Sequence, residues 1–173
     1  AHAAAYVTAA VKLGWFKIHR KLEFYAAILT METENLDMDL LLRGKDAVRA
    51  RLQQMLAGDD AGDKAVKGKY ESLKIAYEAL CRGIKFLPVN YLKSHATGYN
   101  IEGNDLRLPF CIVDGCGENA AKALYDGIHS TDLVSIEDLT GLPGINSSVI
   151  DKLDAINAFE GLPRSAQVSF FDM

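Results

Sequence analysis

Residues 113–124, reading Val-Asp-Gly-Cys-Gly-Glu-Asn-Ala-Ala-Lys-Ala-Leu, limit what this chain can fold into more than any other stretch. Val113 leads into Gly115-Cys116-Gly117, where two positions without a Cβ can take φ > 0 or let another backbone come close. A helix follows at once, with Ala121 small enough for two helices to cross tightly and Leu124 as an apolar anchor one turn later. This is the grammar of a helix-hairpin-helix. The amides of the turn and the positive end of the new helix point outward together and make a cradle for a phosphate oxygen, with Lys122 just behind. Gly115, Cys116, Gly117, Asn119 and Lys122 are the expected contacts to a nucleic-acid backbone.

The same letters admit a rival. Gly115-x-Gly117-x-x-Ala120 after the apolar run 110–113 also fits a dinucleotide-binding fingerprint, with Glu137 near the place of a ribose-binding acid. Such a fold needs several further buried strands, and the pattern beyond Leu124 is helical. Instead the first motif recurs. Gly144-Ile145-Asn146-Ser147 repeats its spacing, with Asn146 for the second glycine and Ile150 for the small alanine. Asn tolerates the left-handed region better than most residues, so the turn survives. Gly144, Asn146 and Ser147 join the expected DNA contacts. Two such units form a compact four-helix block able to hold both strands of a duplex across the minor groove, the second with a bulkier turn suited to a structural role.

The net charge of -4 weighs against nucleic-acid binding, for which a basic domain is the usual footprint. Its distribution softens that. Lys12, Lys17, Arg20 and Lys21 make the start basic, lysines and Arg82 dominate the middle, and the part after Val113 is acidic. Cys81, Cys111 and Cys116 form no Cys-x-x-Cys pair, so neither zinc nor a disulfide framework is indicated, and a cytoplasmic location is the default. No run approaches a membrane span, so no membrane partner is expected.

Along the chain, Val7, Val11, Trp15 and Ile18 form an apolar stripe on a first helix, and a second helix over 21–31 turns Leu22, Tyr25, Ala26 and Leu29 to one face. The Ala-rich start without Met reads as a chain cut inside a larger protein. A short apolar segment over 36–42 precedes a helix that Asp46 can cap, with Val48, Leu52, Met55 and Leu56 inward. Residues 58–63 read as a loop. A helix over 66–81 puts Tyr70, Leu73, Ala76, Tyr77 and Leu80 inward, and Gly83 ends it. Residues 86–89 are extended, and 99–108 form a hairpin across Gly103-Asn104. Pro109 starts a short helix over 110–113, the helix after Gly117 lasts to about Gly127, and Ser135 with Asp138 makes a capping box. The fold class is mostly α with a small β-hairpin: a tandem helix-hairpin-helix domain preceded by a helical segment.

Several stretches, in order, resemble one family. They are residues 1–6, 16–19 and 22–27, then Ser94-His95-Ala96-Thr97, Ile101-Glu102-Gly103-Asn104, residues 115–121, Gly161-Leu162-Pro163 and Gln167-Val168-Ser169-Phe170-Phe171. Together they resemble the C-terminal region of the bacterial C-family replicative DNA polymerase III alpha subunit, PolC type. The resemblance implies four parts: 1–35 the end of the fingers, 36–97 the helical part of a duplex-binding region, 98–166 the β-hairpin with the tandem hairpins, and 167–173 a sliding-clamp-binding tail. It places His2 and Tyr6 in the fingers motif that meets the incoming nucleotide. Gln167, Ser169, Phe170 and Phe171 look like clamp-binding residues, with Phe170 where such motifs more often have Leu. The implied partners are duplex DNA as primer-template and a sliding clamp. Palm carboxylates holding Mg2+ belong to the full polymerase, so this fragment has no cofactor or catalytic residue of its own and is expected to be inactive alone. Two other readings stand beside it, a glycosylase-like repair module and a protein-interaction scaffold.

Overall fold

The computed structural model describes residues 2–58, 64–130 and 132–165. It is mostly helical, with one small sheet. The order is α1 (His2–His19), α2 (Lys21–Glu32), a 3-10 turn Thr33–Asn35, α3 (Met38–Leu42), α4 (Lys45–Ala57), α5 (Lys64–Cys81), β1 (Phe86–Leu87), β2 (Asn100–Glu102), β3 (Asp105–Arg107), a 3-10 turn Phe110–Ile112, α6 (Glu118–Ser130), α7 (Glu137–Thr140) and α8 (Ser147–Ala155). The chain forms two compact units, 1–87 with 98–106 and 88–97 with 107–173. Residues 98–106, which carry most of the β-hairpin, group with the first unit, and residues 88–97 with the second.

In the first unit, α2 and α5 build the core. Tyr25 and Leu29 from α2, Val48 and Leu52 from α4, and Leu73, Ala76 and Ala79 from α5 are all buried. Tyr70, Tyr77 and Leu80, expected inward, sit half-buried at its margin, and Leu56 is exposed. Arg82 locks the base of this core: one guanidinium nitrogen donates to the Lys17 carbonyl at 2.7 Å, and the group stands over the Tyr25 ring. Burial pushes the Tyr25 hydroxyl's pKa up, against the pull of the Arg82 hydrogen bond. Gly83 takes φ +81 directly after α5, as a helix-ending glycine should. α4 begins two residues earlier than a cap at Asp46 would allow. Gly44, at φ +84, is its N-cap, and Asp46 lies in the first turn, where its charge faces the positive end of the helix. The three strands lie in the order β1-β3-β2, with Gly103 at φ +63 in the hairpin turn.

One element of this unit departs from expectation. α1 buries none of its 18 residues, although it carries the stripe read from sequence. Tyr6, Val11 and Ile18 are 66%, 67% and 68% exposed. Lys17, paired with Glu78 at 2.7 Å, ties the last turn of α1 to α5. Between α1 and α2 lies an apolar groove of about 500 Å³, lined by Leu13, Phe16, Phe24 and Met31 among others.

In the second unit, residues 88–97 lace along the approach to the first hairpin. The carbonyls of His95 and Ala96 accept from the amides of Phe110 and Cys111, each at 3.0 Å. The buried Ser94 hydroxyl donates to the Leu108 carbonyl at 2.7 Å. The core is Leu108, Phe110, Ala121, Leu124, Leu139 and Leu153, each fully buried.

Candidate nucleic-acid interface

The first hairpin is built from a single 3-10 turn rather than a true helical arm. Proline at 109 lacks an amide, and the short run to Ile112 closes only one turn before Val113 becomes extended. Gly115 then takes φ +82. A residue with a Cβ is strained in this region, which is why glycine is needed here. Gly117 needs no such freedom: its φ is not positive and a Cβ there would meet nothing within 4 Å. α6 starts at once, burying Ala121 and Leu124 as the motif requires, and it runs on past Gly127 to Ser130. Gly127 is interior to the helix, and its missing side chain makes room for Leu142, into which a Cβ would run.

The second hairpin repeats this plan. α7 is its first arm, Gly144 takes φ +86, and α8 buries Val149, Ile150 and Leu153. Asn146 is not in the left-handed region. It is extended, at φ -90 and ψ 139, and caps α8 by accepting the Ser148 amide at 3.1 Å. The second glycine position is therefore a cap position, which explains why Asn replaces Gly without loss.

The two turns are reciprocal. Gly115 and Gly144 stand 29 positions apart, as do Ala123 and Lys152. A Cβ at Gly115 would lie 3.1 Å from the Lys152 ammonium, and one at Gly144 would lie 3.4 Å from the Ala123 methyl. Each turn thus backs onto the equivalent point of the other hairpin's second helix. Sequence reading missed both Asp114 and Lys152. The 29-residue offset was its only available signal, since it maps each turn onto the opposite helix.

Which amides face outward can be read directly. The Cys116 amide donates to the Val113 carbonyl at 2.8 Å and the Ile145 amide to Leu142 at 3.3 Å, so the middle residue of each turn is internally satisfied. The Cys116 side chain is also buried, and burial raises its thiol pKa to about 11. Cys116 thus presents neither its amide nor its thiol to solvent. Among the described residues, no acceptor bonds the amides of Gly115, Gly117, Glu118 or Asn119, nor those of Gly144, Asn146 and Ser147. All seven residues are exposed. The start of α7 is closed instead, because the carbonyls of Pro163 and Arg164 take the amides of Ile136 and Glu137 at 2.9 and 3.1 Å.

Charge around the first turn is balanced in pairs. Lys122 is exposed but bonded to Glu118, four residues back on α6, and this holds the Glu118 carboxyl below the usual carboxylate range. Lys152 donates to both the carbonyl and a carboxylate oxygen of Asp114, each at 2.8 Å, and lowers the Asp114 pKa likewise. In the second hairpin the Asp138 carboxylate accepts the amides of Ser135 at 2.8 Å and Val134 at 3.0 Å, which is the reciprocal half of the expected capping box.

Elsewhere, His2 and Tyr6 stack edge-on at 4.7 Å on the exposed face of α1. The basic group that follows is engaged at home: Lys17 with Glu78, Arg20 with Glu23 at 3.1 Å, Lys21 with the Arg82 carbonyl at 3.3 Å. The proposed tail residues Gln167, Ser169, Phe170 and Phe171 lie outside the described residues. The element that leads into Gly115 is the 3-10 turn Phe110–Ile112 and not a strand, so the dinucleotide fingerprint lacks the strand-turn-helix setting it requires. Among the described residues, no three His, Cys, Asp or Glu gather to hold a metal, and no helix is long and apolar enough to cross a membrane.

No family model matches the chain. Curated relatives do. The DNA polymerase III PolC-type of Thermotoga maritima is 36% identical over 171 residues, that of Oceanobacillus iheyensis 37% over 172, and that of Staphylococcus epidermidis 36% over 173. These alignments take in 99%, 99% and 100% of this chain but only 12% of each relative.

Proposed function

We propose, from the premise that this chain belongs along its whole length with the PolC-type DNA polymerase III, that it supplies sequence-indifferent grip on duplex DNA and a docking point for a sliding clamp. Its parent is then a DNA-directed DNA polymerase working in the cytoplasm on primer-template. The observation that carries the reading is the reciprocal pair of turns, each with a positive-φ glycine followed by exposed, open helix-start amides. Peptide N–H groups aimed at a phosphate need no particular base, so the grip is indifferent to sequence. In the second hairpin Asn146 occupies the Ser148 amide, leaving fewer donors for phosphate than in the first.

The fingers role keeps His2 and Tyr6 at the incoming nucleotide. Their edge-on pairing leaves a polar ring and an aromatic face together at the surface. Magnesium chemistry belongs to the parent polymerase, and no step in it is assigned to residues of this chain. In the tail, the Gln167 amide satisfies backbone groups at a pocket rim while Phe170 and Phe171 enter the pocket, with Ser169 between them. Burying both rings contributes about 3–6 kcal/mol before ordering costs, the scale of a micromolar tether.

Binding of the chain to duplexes of mixed sequence and graded length, measured at rising salt, tests the grip. Affinity is expected to rise with length, ignore sequence and fall steeply with salt. No binding at low salt would end the reading. Replacing Phe170 and Phe171 together by Ala is expected to abolish association with a sliding clamp and leave duplex binding unchanged.

A further inference from the structure

We infer that Lys152, on the second hairpin, completes the phosphate cradle of the first by neutralising Asp114 and bracing its turn. The inference rests on the duplex-binding reading above and names the residue through which the two hairpins act as one site.

The first turn sets an electrostatic problem for any phosphate it would hold. Asp114 stands directly before Gly115, with its carboxylate 97% exposed, and Glu118 opens the helix that follows. Two carboxylates therefore flank the open amides of Gly115 and Gly117. A phosphate approaching them meets repulsion unless both are matched. Glu118 is matched from within its own helix by Lys122. Asp114 has no such neighbour on its own hairpin, and Lys152 reaches it from α8, bonding the carboxylate and the carbonyl of the same residue at 2.8 Å each.

The double contact does two things. It cancels the charge nearest the cradle, and it fixes the peptide plane between Asp114 and Gly115, whose N–H is one of the open donors. The Lys152 side chain is about two-fifths exposed. The arrangement is one-sided. At the reciprocal point the partner is Ala123 and the residue before Gly144 is Pro143, a pair with no charge to balance. A surface ion pair alone carries little stability, which leaves electrostatics at the turn as what this lysine changes.

The test uses the 173-residue chain and a fluorescently labelled duplex of mixed sequence, with thermal stability followed in parallel. Lys152→Gln is expected to weaken binding by roughly threefold to tenfold, with little change in melting temperature. Lys152→Arg is expected to keep most of the affinity. In the Asp114→Asn background the same Lys152→Gln change is expected to cost much less, because the charge it balanced is gone. A merely structural lysine would not show that rescue. Unchanged affinity of Lys152→Gln in a wild type that does bind, or an equal loss in both backgrounds, overturns the inference alone. Absence of duplex binding by the wild type overturns the underlying reading, and this inference with it.

Discussion

α1 and α6 look alike on paper and behave oppositely. Both carry an apolar stripe at helical spacing, yet α6 buries Ala121, Leu124, Gly127 and Ile128 while α1 buries nothing. The exposed surfaces differ as well. That of α6 is polar, with Asn119, Lys122 and Asp126, whereas α1 shows Tyr6, Val7, Val11 and Ile18 to solvent. An apolar stripe therefore marks a face that favours burial, without placing the partner in the same chain. A surface of that kind commonly marks an interaction site, and α1 lies in a chain that spans only 12% of its relatives.

Four substitutions put this contrast under strain. Leu124→Ala in α6 is expected to cost about 2–5 kcal/mol in chemical denaturation, since it empties a fully buried position between packed elements. A loss below about 1 kcal/mol would mean the hairpin core is not the packed block described. Lys122→Glu should leave the melting temperature nearly unchanged but reduce duplex affinity by roughly tenfold, because it adds a second negative charge beside Glu118 at the cradle. Equal affinity would remove Lys122 from the interface. Ile18→Ser on α1 is expected to shift stability by less than about 0.5 kcal/mol and to reduce binding of a hydrophobic dye. A cost matching that of Leu124→Ala would abolish the distinction between the two helices.

The smallest effect concerns pH. The amides of Ser135 and Val134 hold the Asp138 carboxyl below its ordinary pKa. A depressed folded pKa contributes stability that is present above the unfolded value and is lost as pH falls through the folded one. Asp138→Asn should therefore lower the neutral plateau slightly and leave stability below the folded pKa nearly unchanged, so that the acid limb flattens. An identical acid limb in both proteins would show that the turn does not depend on that charge.

Much of the architecture was legible because it follows from local chemistry. The stripe of α2, the helix-ending Gly83 and the turn at Gly103 each depend on residues that have few alternatives, and the structure holds them where the pattern put them. The glycines at 115 and 144 were legible for the same reason. Other features were hidden because they use atoms every residue owns. The lacing of residues 88–97 onto Phe110 and Cys111 runs through backbone carbonyls, so no side-chain pattern announces it. The Lys152–Asp114 bond spans 38 positions and becomes visible only once the two turns are known to back onto each other's helices. Gly127 misled for a further reason: a glycine near the end of a helix usually stops it, and here it admits the side chain of Leu142 instead.

The reciprocity of the two turns carries one more consequence for the proposed partner. A double helix has an axis of approximate rotational symmetry at every base step, relating its antiparallel strands. On the duplex-binding reading, two turns that each back onto the other's helix would present one hairpin to each strand.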